Sequence, residues 1–345
     1  MMHLAYRPAW WLPGPHLESL WGRLGRRGPL VTYRRETLET PDDDRLELDW
    51  VDGPAGAPLL LALHGLEGCS QSLYVQGMLS LAQARGWRGV ALNFRSCAPP
   101  PGRPRQEWVL NRAERMYHSG ETEDLDWLVG RLVAREPDLR LLLAGVSLGG
   151  NVLLKWLGER GGEAPPAVLA AATISVPYDL SAAAHYMEVG FRRVYMRDFL
   201  RRLRPKVLQF AARYPERVNV DAVRTARTFR TFDAAAVAPI HGFTDAEDYY
   251  ARSSSLGYLA RIAVPTLLVS AVNDPFLPPE VLDDVRHRAA PAVTCAFTAR
   301  GGHAGFVTGP PWACHHWAEE RVIDFLADHV HSPRATPLAG EPHPE

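Results

Sequence analysis

A serine with glycines two positions away on either side is the first feature of the chain that could do chemistry. The stretch Gly145-Val-Ser-Leu-Gly-Gly150 follows an apolar run, 139–144, and precedes the helix-like Asn151-Val-Leu-Leu-Lys-Trp-Leu157. Glycines so placed permit a tight, strained strand-to-helix turn that lifts the Ser147 hydroxyl to the head of a helix. A loop that merely packs helix on strand could use the same residues; the buried run before and the helix after favour a nucleophile. A serine hydroxyl attacks poorly until a base takes its proton, so a histidine must reach it and an acid must orient that histidine.

In this turn architecture the chain order is serine, acid, histidine. Asp274 stands in Ser270-Ala-Val-Asn-Asp-Pro-Phe276, just beyond the apolar run 265–270, where loops at strand carboxyl ends present catalytic groups. A plain turn residue before Pro275 is the alternative; Asp283 and Asp284 fall in a helical pattern and are weaker candidates. Of the 13 histidines, His303 alone combines order, loop and spacing, in Gly301-Gly-His-Ala-Gly-Phe306. The pair His315 and His316 lacks further ligands at metal-binding spacing and reads as ordinary helix positions. A tetrahedral oxyanion needs two aimed N–H donors. Leu148, after the serine, supplies one; Leu66, in the loop His64-Gly-Leu-Glu-Gly68, is expected to supply the other. His64, between a strand and a glycine, is expected to fix that loop by hydrogen bonding rather than to act as a base.

These residues need a sheet to hold them. Short apolar runs at 59–63, 89–94 and 139–144 alternate with helical patterns at 74–85 and 122–135, and nearly lack polar residues, as strands buried on both faces do. The pattern resumes at 168–176, 265–270 and 293–297 and ends in an amphipathic helix over 312–329. That alternation predicts an α/β fold with a mostly parallel central sheet flanked by helices. Residues 177–261 lack strong strand signals and carry helical segments at 191–203 and 205–214, the outline of a helical cap. Residues 1–30 read as a loose aromatic, Pro-rich arm, 31–330 as the main domain and 331–345 as a disordered tail.

Composition narrows the function classes. Of 345 residues, 46% are hydrophobic and 22% charged, and 38 basic against 39 acidic residues leave a net charge of −1. No basic, aromatic-interleaved platform exists for a nucleic acid. Only Lys155 and Lys206 among the basic residues are lysines. Cys69, Cys97, Cys295 and Cys314 form no C-x-x-C pair, so neither a zinc site nor a disulfide framework is expected, and a reduced, cytoplasmic setting is. No stretch approaches a signal peptide's apolar region or the roughly 18 apolar residues of a membrane span.

Several separated stretches together resemble one family. Gly14-Pro-His-Leu17, His64-Gly-Leu-Glu-Gly68, Asn93-Phe-Arg-Ser-Cys97, Tyr117-His-Ser-Gly-Glu-Thr-Glu-Asp124, Gly145-Val-Ser-Leu-Gly-Gly-Asn151, Ile240-His-Gly-Phe243 with Asp248-Tyr-Tyr250, Asn273-Asp-Pro-Phe276 and Gly301-Gly-His-Ala-Gly-Phe306 occur in order. The chain thereby resembles the YheT-type branch of the α/β-hydrolases, which also holds the eukaryotic ABHD1- and ABHD3-like enzymes. The resemblance implies an α/β-hydrolase fold, a triad on Ser147, Asp274 and His303, and activity on short- to medium-chain acyl esters. Ser96 stands where the family pattern has glycine, and Cys69 where it usually has serine. The polar stretch 117–124 is expected to cap the following helix through Ser119 or Thr122.

The resulting expectation is a serine carboxylesterase working through an acyl-enzyme, with no cofactor or metal and a small, lipid-like ester as substrate. An alcohol acyltransferase using the same acyl-enzyme, amide hydrolysis, and a non-catalytic binding protein of the same fold are the rivals. An epoxide hydrolase or dehalogenase would need a carboxylate at position 147.

Overall fold

The computed structural model describes residues 5–26, 30–100, 102–104 and 107–330; the expected tail, 331–345, lies outside them. Eight strands form the main sheet: β1 (Arg34–Glu39), β2 (Arg45–Val51), β3 (Leu59–Leu63), β4 (Arg88–Asn93), β5 (Leu141–Val146), β6 (Val168–Ile174), β7 (Thr266–Ala271) and β8 (Val293–Thr298). Their order is β1-β2-β4-β3-β5-β6-β7-β8, with the β1–β2 and β2–β4 pairs antiparallel and every pair from β4–β3 onward parallel. The apolar runs thus become central strands. All five residues of β3 are buried: Leu59, Leu61 and Leu63 pack on one face of the sheet with Leu143 and Trp156, while Leu60 and Ala62 pack on the other with Val75, Met78 and Ile323. Each such leucine contributes about 1.5–3 kcal/mol of burial.

The sequence reading did not include β1 and β2. Arg-Arg-Glu-Thr-Leu-Glu of β1 is an edge strand with only Leu38 buried, so it carries no apolar run to detect. The arm also departs from expectation. It is not loose where described: Ala9 and Leu12 are buried, and Pro15–Leu24 is a helix with proline in its first turn. At the other end, the last helix begins at Trp317, and His315–His316 is instead a two-residue strand paired with Val307–Thr308.

Between β6 and β7 the chain folds into helices Leu180–Tyr186, Arg192–Arg213, Val220–Thr225, Phe229–Ala235, Val237–His241 and Ala246–Ser253. The middle four meet in a hydrophobic cluster with Met196, Leu200, Phe210, Val223 and Phe232, while the first and last pack together through Leu180, Ala184, Tyr249 and Tyr250. The two segments expected at 191–203 and 205–214 are one helix running through Pro205. A proline there removes a helical hydrogen bond. Side chains beside it hold the helix in line: Arg204 donates to the carbonyls of Val223 (3.1 Å) and Ala226 (2.8 Å), and Lys206 bonds Glu67. No helix among the described residues is long and apolar enough to cross a membrane.

Candidate active site

β5 ends at Val146 and a helix starts at Leu148, so Ser147 occupies the turn between them with φ of 54° and ψ of −122°. A side chain seldom adopts that region, and the surrounding glycines make it sterically possible. A Cβ on Gly149 would stand 2.4 Å from the His64 carbonyl oxygen, and one on Gly65 would stand 3.1 Å from Ser147 Cβ. The turn and the loop after β3 therefore close on each other only because both lack side chains there.

Asp274, 1% exposed, follows β7, and His303 follows β8. His303 Nδ1 lies 2.9 Å from Asp274 Oδ2 and 3.1 Å from Oδ1, and His303 Nε2 lies 3.0 Å from Ser147 Oγ. A carboxylate only accepts, so Nδ1 donates to it and Nε2 faces the hydroxyl as an acceptor. Asp274 Oδ1 also accepts the Phe276 N–H at 2.8 Å, and the Phe276 ring stacks on the imidazole at 4.1 Å. The structure thus brings together the serine, acid and histidine singled out above. Asp283 and Asp284 lie on an exposed helix face, where Asp283 pairs with Arg286.

Leu66 and Leu148 both border the space above Ser147. In the loop after β3 the neighbouring donors are already engaged: the Gly65 N–H by Tyr74 Oη at 2.9 Å and the Glu67 N–H by Tyr117 Oη at 3.1 Å. His64 is fully buried. Its Nε2 accepts the Phe94 N–H at 3.1 Å and its Nδ1 donates to the Gly65 carbonyl at 2.8 Å, so it fastens the loop to β4. Burial lowers its pKa to about 4, which keeps the ring neutral.

Residues not anticipated from the sequence hold the His303 loop. Glu18 of the arm helix, 1% exposed, accepts from Asn273 Nδ2 (2.8 Å), Arg300 Nε (2.8 Å) and the Gly301 N–H (3.1 Å). Ser19 Oγ accepts the His303 N–H at 2.8 Å, and Asn273 Oδ1 accepts the Gly302 N–H at 3.0 Å. Ser175, itself at φ of 53°, accepts the Ala304 N–H through Oγ at 2.9 Å. Only Asn273, adjacent to Asp274, gave any local signal.

The polar stretch 117–124 is divided between two tasks. Thr122 is at the N-cap position of the next helix but makes no side-chain cap bond; Glu121 Oε1 accepts the Glu123 N–H instead, and Ser119 does not cap. Asp124 is clamped by the buried Arg95 at 2.7 Å. Tyr117, His118 and Ser119 line the cavity above Ser147. Ser96 takes φ of 62°, the reason a glycine suits that position, and its Oγ is absorbed by Asn111. Cys69 is buried and does not border the cavities at Ser147.

Two cavities meet at Ser147, both bordered by Leu66, Phe199, Phe276 and His303. One runs beneath the inserted helices and is mostly apolar, walled by Leu180, Met187, Leu203, Phe229, Phe232 and Val237 among others. The other opens toward the arm helix and includes Ser19, Glu67, Ser72, Asp198 and Arg202. Among the described residues there is no cluster of three or more His, Cys, Asp or Glu side chains able to hold a metal ion.

A serine turn after a central parallel strand, an acid and a histidine after later strands, and helices inserted over the opening are features of a hydrolase. Residues 58–310 match the family described as alpha/beta hydrolase fold, and the chain belongs to it. It is 38% identical over 320 residues to the putative esterase YheT of Escherichia coli (strain K12), covering 91% of each chain, which bears out the resemblance drawn from the motifs. It is 31% identical over 315 residues to phospholipase ABHD3 of Mus musculus, covering 88% of this chain and 74% of that one. The structure of the Pyrococcus furiosus esterase Pf2001 shares the fold, with a TM-score of 0.54 at 17% identity over 87% of this chain and 92% of that one.

Proposed function

We propose that the protein is a serine carboxylesterase that hydrolyses short- to medium-chain acyl esters through an acyl-enzyme on Ser147. The observation that carries this reading is the unbroken hydrogen-bond path from Asp274 through His303 to Ser147 Oγ, at 2.9 and 3.0 Å, where the two cavities meet. As Oγ attacks the ester carbonyl, His303 Nε2 takes its proton while Asp274 holds the ring and balances the imidazolium charge. The tetrahedral oxyanion falls between the N–H groups of Leu66 and Leu148, each worth about 3 kcal/mol by comparison with the deletion of one such donor. His303 returns the proton to the departing alcohol. Water, activated by the same imidazole, then releases the acid and restores Ser147.

The apolar cavity suits the acyl chain and the more polar one the alcohol. In this reading the helices between β6 and β7 act as a cap that keeps the acyl chain from water. The names of the esterase and phospholipase relatives support an ester substrate, and the four cysteines, none of them in a disulfide, suit a reducing cytoplasm.

Reaction with a fluorophosphonate probe, located by peptide mass, together with turnover of p-nitrophenyl esters from two to twelve carbons, tests the proposal. Labelling at Ser147, a peak in the chain-length profile, and loss of turnover in a folded Ser147→Ala variant are expected. Ester turnover that survives in that variant would sink it, and inertness of the folded wild type toward the probe would favour a binding protein. Ethanol added to the assay separates hydrolysis from acyl transfer by whether an ethyl ester forms.

A further inference from the structure

The apolar cavity above Ser147 is bordered by one acid that the steps above do not use. Asp233 lies on the helix Phe229–Ala235 and faces the same space as Phe229 and Phe232, with its surface only 9% exposed. Tyr250, on the helix Ala246–Ser253, donates through Oη to Asp233 Oδ2 at 2.7 Å and borders the cavity too. No protein donor bonds the other carboxyl oxygen among the described residues. An alkyl chain filling this cavity would leave that oxygen without a partner and remove what water reaches it, a costly arrangement for a polar atom.

We propose that Asp233, oriented by Tyr250, is a specificity determinant that binds a hydroxyl group on the part of the ester held in the apolar cavity. A hydroxyl fits because it can donate to a carboxylate and equally accept from a carboxylic acid. Burial pushes this carboxyl up to about 7, so both forms are present near neutral pH. The substrate class is therefore a hydroxylated ester, with an apolar segment between the reacting carbonyl and the hydroxyl. The hydroxyl belongs to a hydroxyacyl chain, or to a diol or triol alcohol should the alcohol occupy this cavity. The inference rests on the esterase reading and names its substrate more closely.

The test is kcat/KM for matched pairs: p-nitrophenyl alkanoates against ω-hydroxyalkanoates of four to twelve carbons, and simple alkyl esters against glycerol monoesters. The wild type is expected to prefer the hydroxylated member of at least one pair by roughly tenfold or more, the range for a hydrogen bond to a charged group. Asp233→Leu should bring that ratio to one or below, and Tyr250→Phe should lower it part of the way. A wild-type ratio at or below one for every pair, a ratio unmoved in Asp233→Leu, or a stronger preference for ω-aminoalkanoates than for the hydroxy esters overturns the inference. If Asp233→Leu does not fold, the wild-type ratios decide. Absence of all ester turnover by the wild type would instead remove the esterase reading, and this inference with it; turnover without preference removes the inference alone.

Discussion

Replacing Lys206 by methionine removes a buried cation that ties the inserted helices to the loop carrying Leu66. Lys206 Nζ lies 2.8 Å from Glu67 Oε1, with the two side chains 3% and 5% exposed. Tyr117 Oη donates to the same oxygen at 2.8 Å. Cys97 Sγ is also within reach of the ammonium at 3.6 Å, but burial pushes that thiol up to about 12, so it is neutral and Glu67 is the charge partner. Methionine keeps most of the apolar stem and leaves the carboxylate buried with one hydroxyl donor. Breaking a buried pair in this way costs about 3–5 kcal/mol, because one charge remains without its partner. Solvent screening takes little from that figure, since both side chains are almost wholly buried. Denaturant unfolding should show the loss, and Lys206→Met combined with Glu67→Gln should recover at least half of it, because the second change removes the stranded charge and keeps an acceptor for Tyr117. Turnover gives a second readout. Glu67 sits at φ of 54°, next to Leu66, and its release should shift the Leu66 N–H. We expect kcat to fall roughly tenfold with KM changed less, against a ceiling of about 10²–10³ for losing such a donor outright. A single variant within about 0.5 kcal/mol of the wild type, or a double variant no more stable than the single, would refute the reasoning.

Further consequences follow from the same geometry. The unfolded His64 titrates near 6.5 and the folded one near 4, so the stability held in its neutral ring is present above pH 6.5 and is lost as the pH falls toward 4. That span is worth up to about 3 kcal/mol, and unfolding measured at pH 7 and pH 4.5 should depend less on pH in His64→Gln than in the wild type. Gly149→Ala should prevent correct folding, as its Cβ would press on the backbone at His64, whereas Gly130→Ala, in open space on an exposed helix face, should add about 1 kcal/mol; thermal melts of the pair check both. Glu18→Gln removes the charge that faces Arg300 and weakens the hold on the His303 loop, so kcat should drop roughly tenfold while KM stays within about twofold; an unchanged kcat would mean that the loop is held without it.

What the sequence disclosed and what it concealed divide along a physical line. Ser147 was legible because its turn is specified locally: a buried strand, glycines that tolerate the contact with His64, and a helix all stand within a few residues. Asp274 and His303 were legible because each stands in a short loop directly after an apolar strand, and a parallel sheet brings the carboxyl ends of its strands to one edge. Strand β1 was not legible, since an edge strand with one buried residue carries no apolar pattern. The Lys206 pair and the Asp233 side chain were hidden for another reason. A lone lysine among arginines, or an acid in a short helix of mixed composition, acquires meaning only when separate helices pack against each other and against the sheet.

The arm helix makes that division sharper. Its composition of prolines, glycines and tryptophans suggested a loose segment, yet Ser19 and Glu18 grip the His303 loop across separations of 284 and 282 residues. Loop-closure entropy grows only with the logarithm of separation, so a contact that distant costs about 2 kcal/mol more than one at a tenth of the span, an amount that several hydrogen bonds offset. The loop itself has strong local reasons to move: Gly301 and Gly302 lie at φ of 150° and 61°, and Ala304 and Phe306 at 53° and 42°. Such a backbone is held in place by bonds from outside it, here from the arm, Asn273 and Ser175. The groups aligned for chemistry were therefore written in local turns, whereas the precision of their alignment is supplied by segments whose own sequence says little about what they hold.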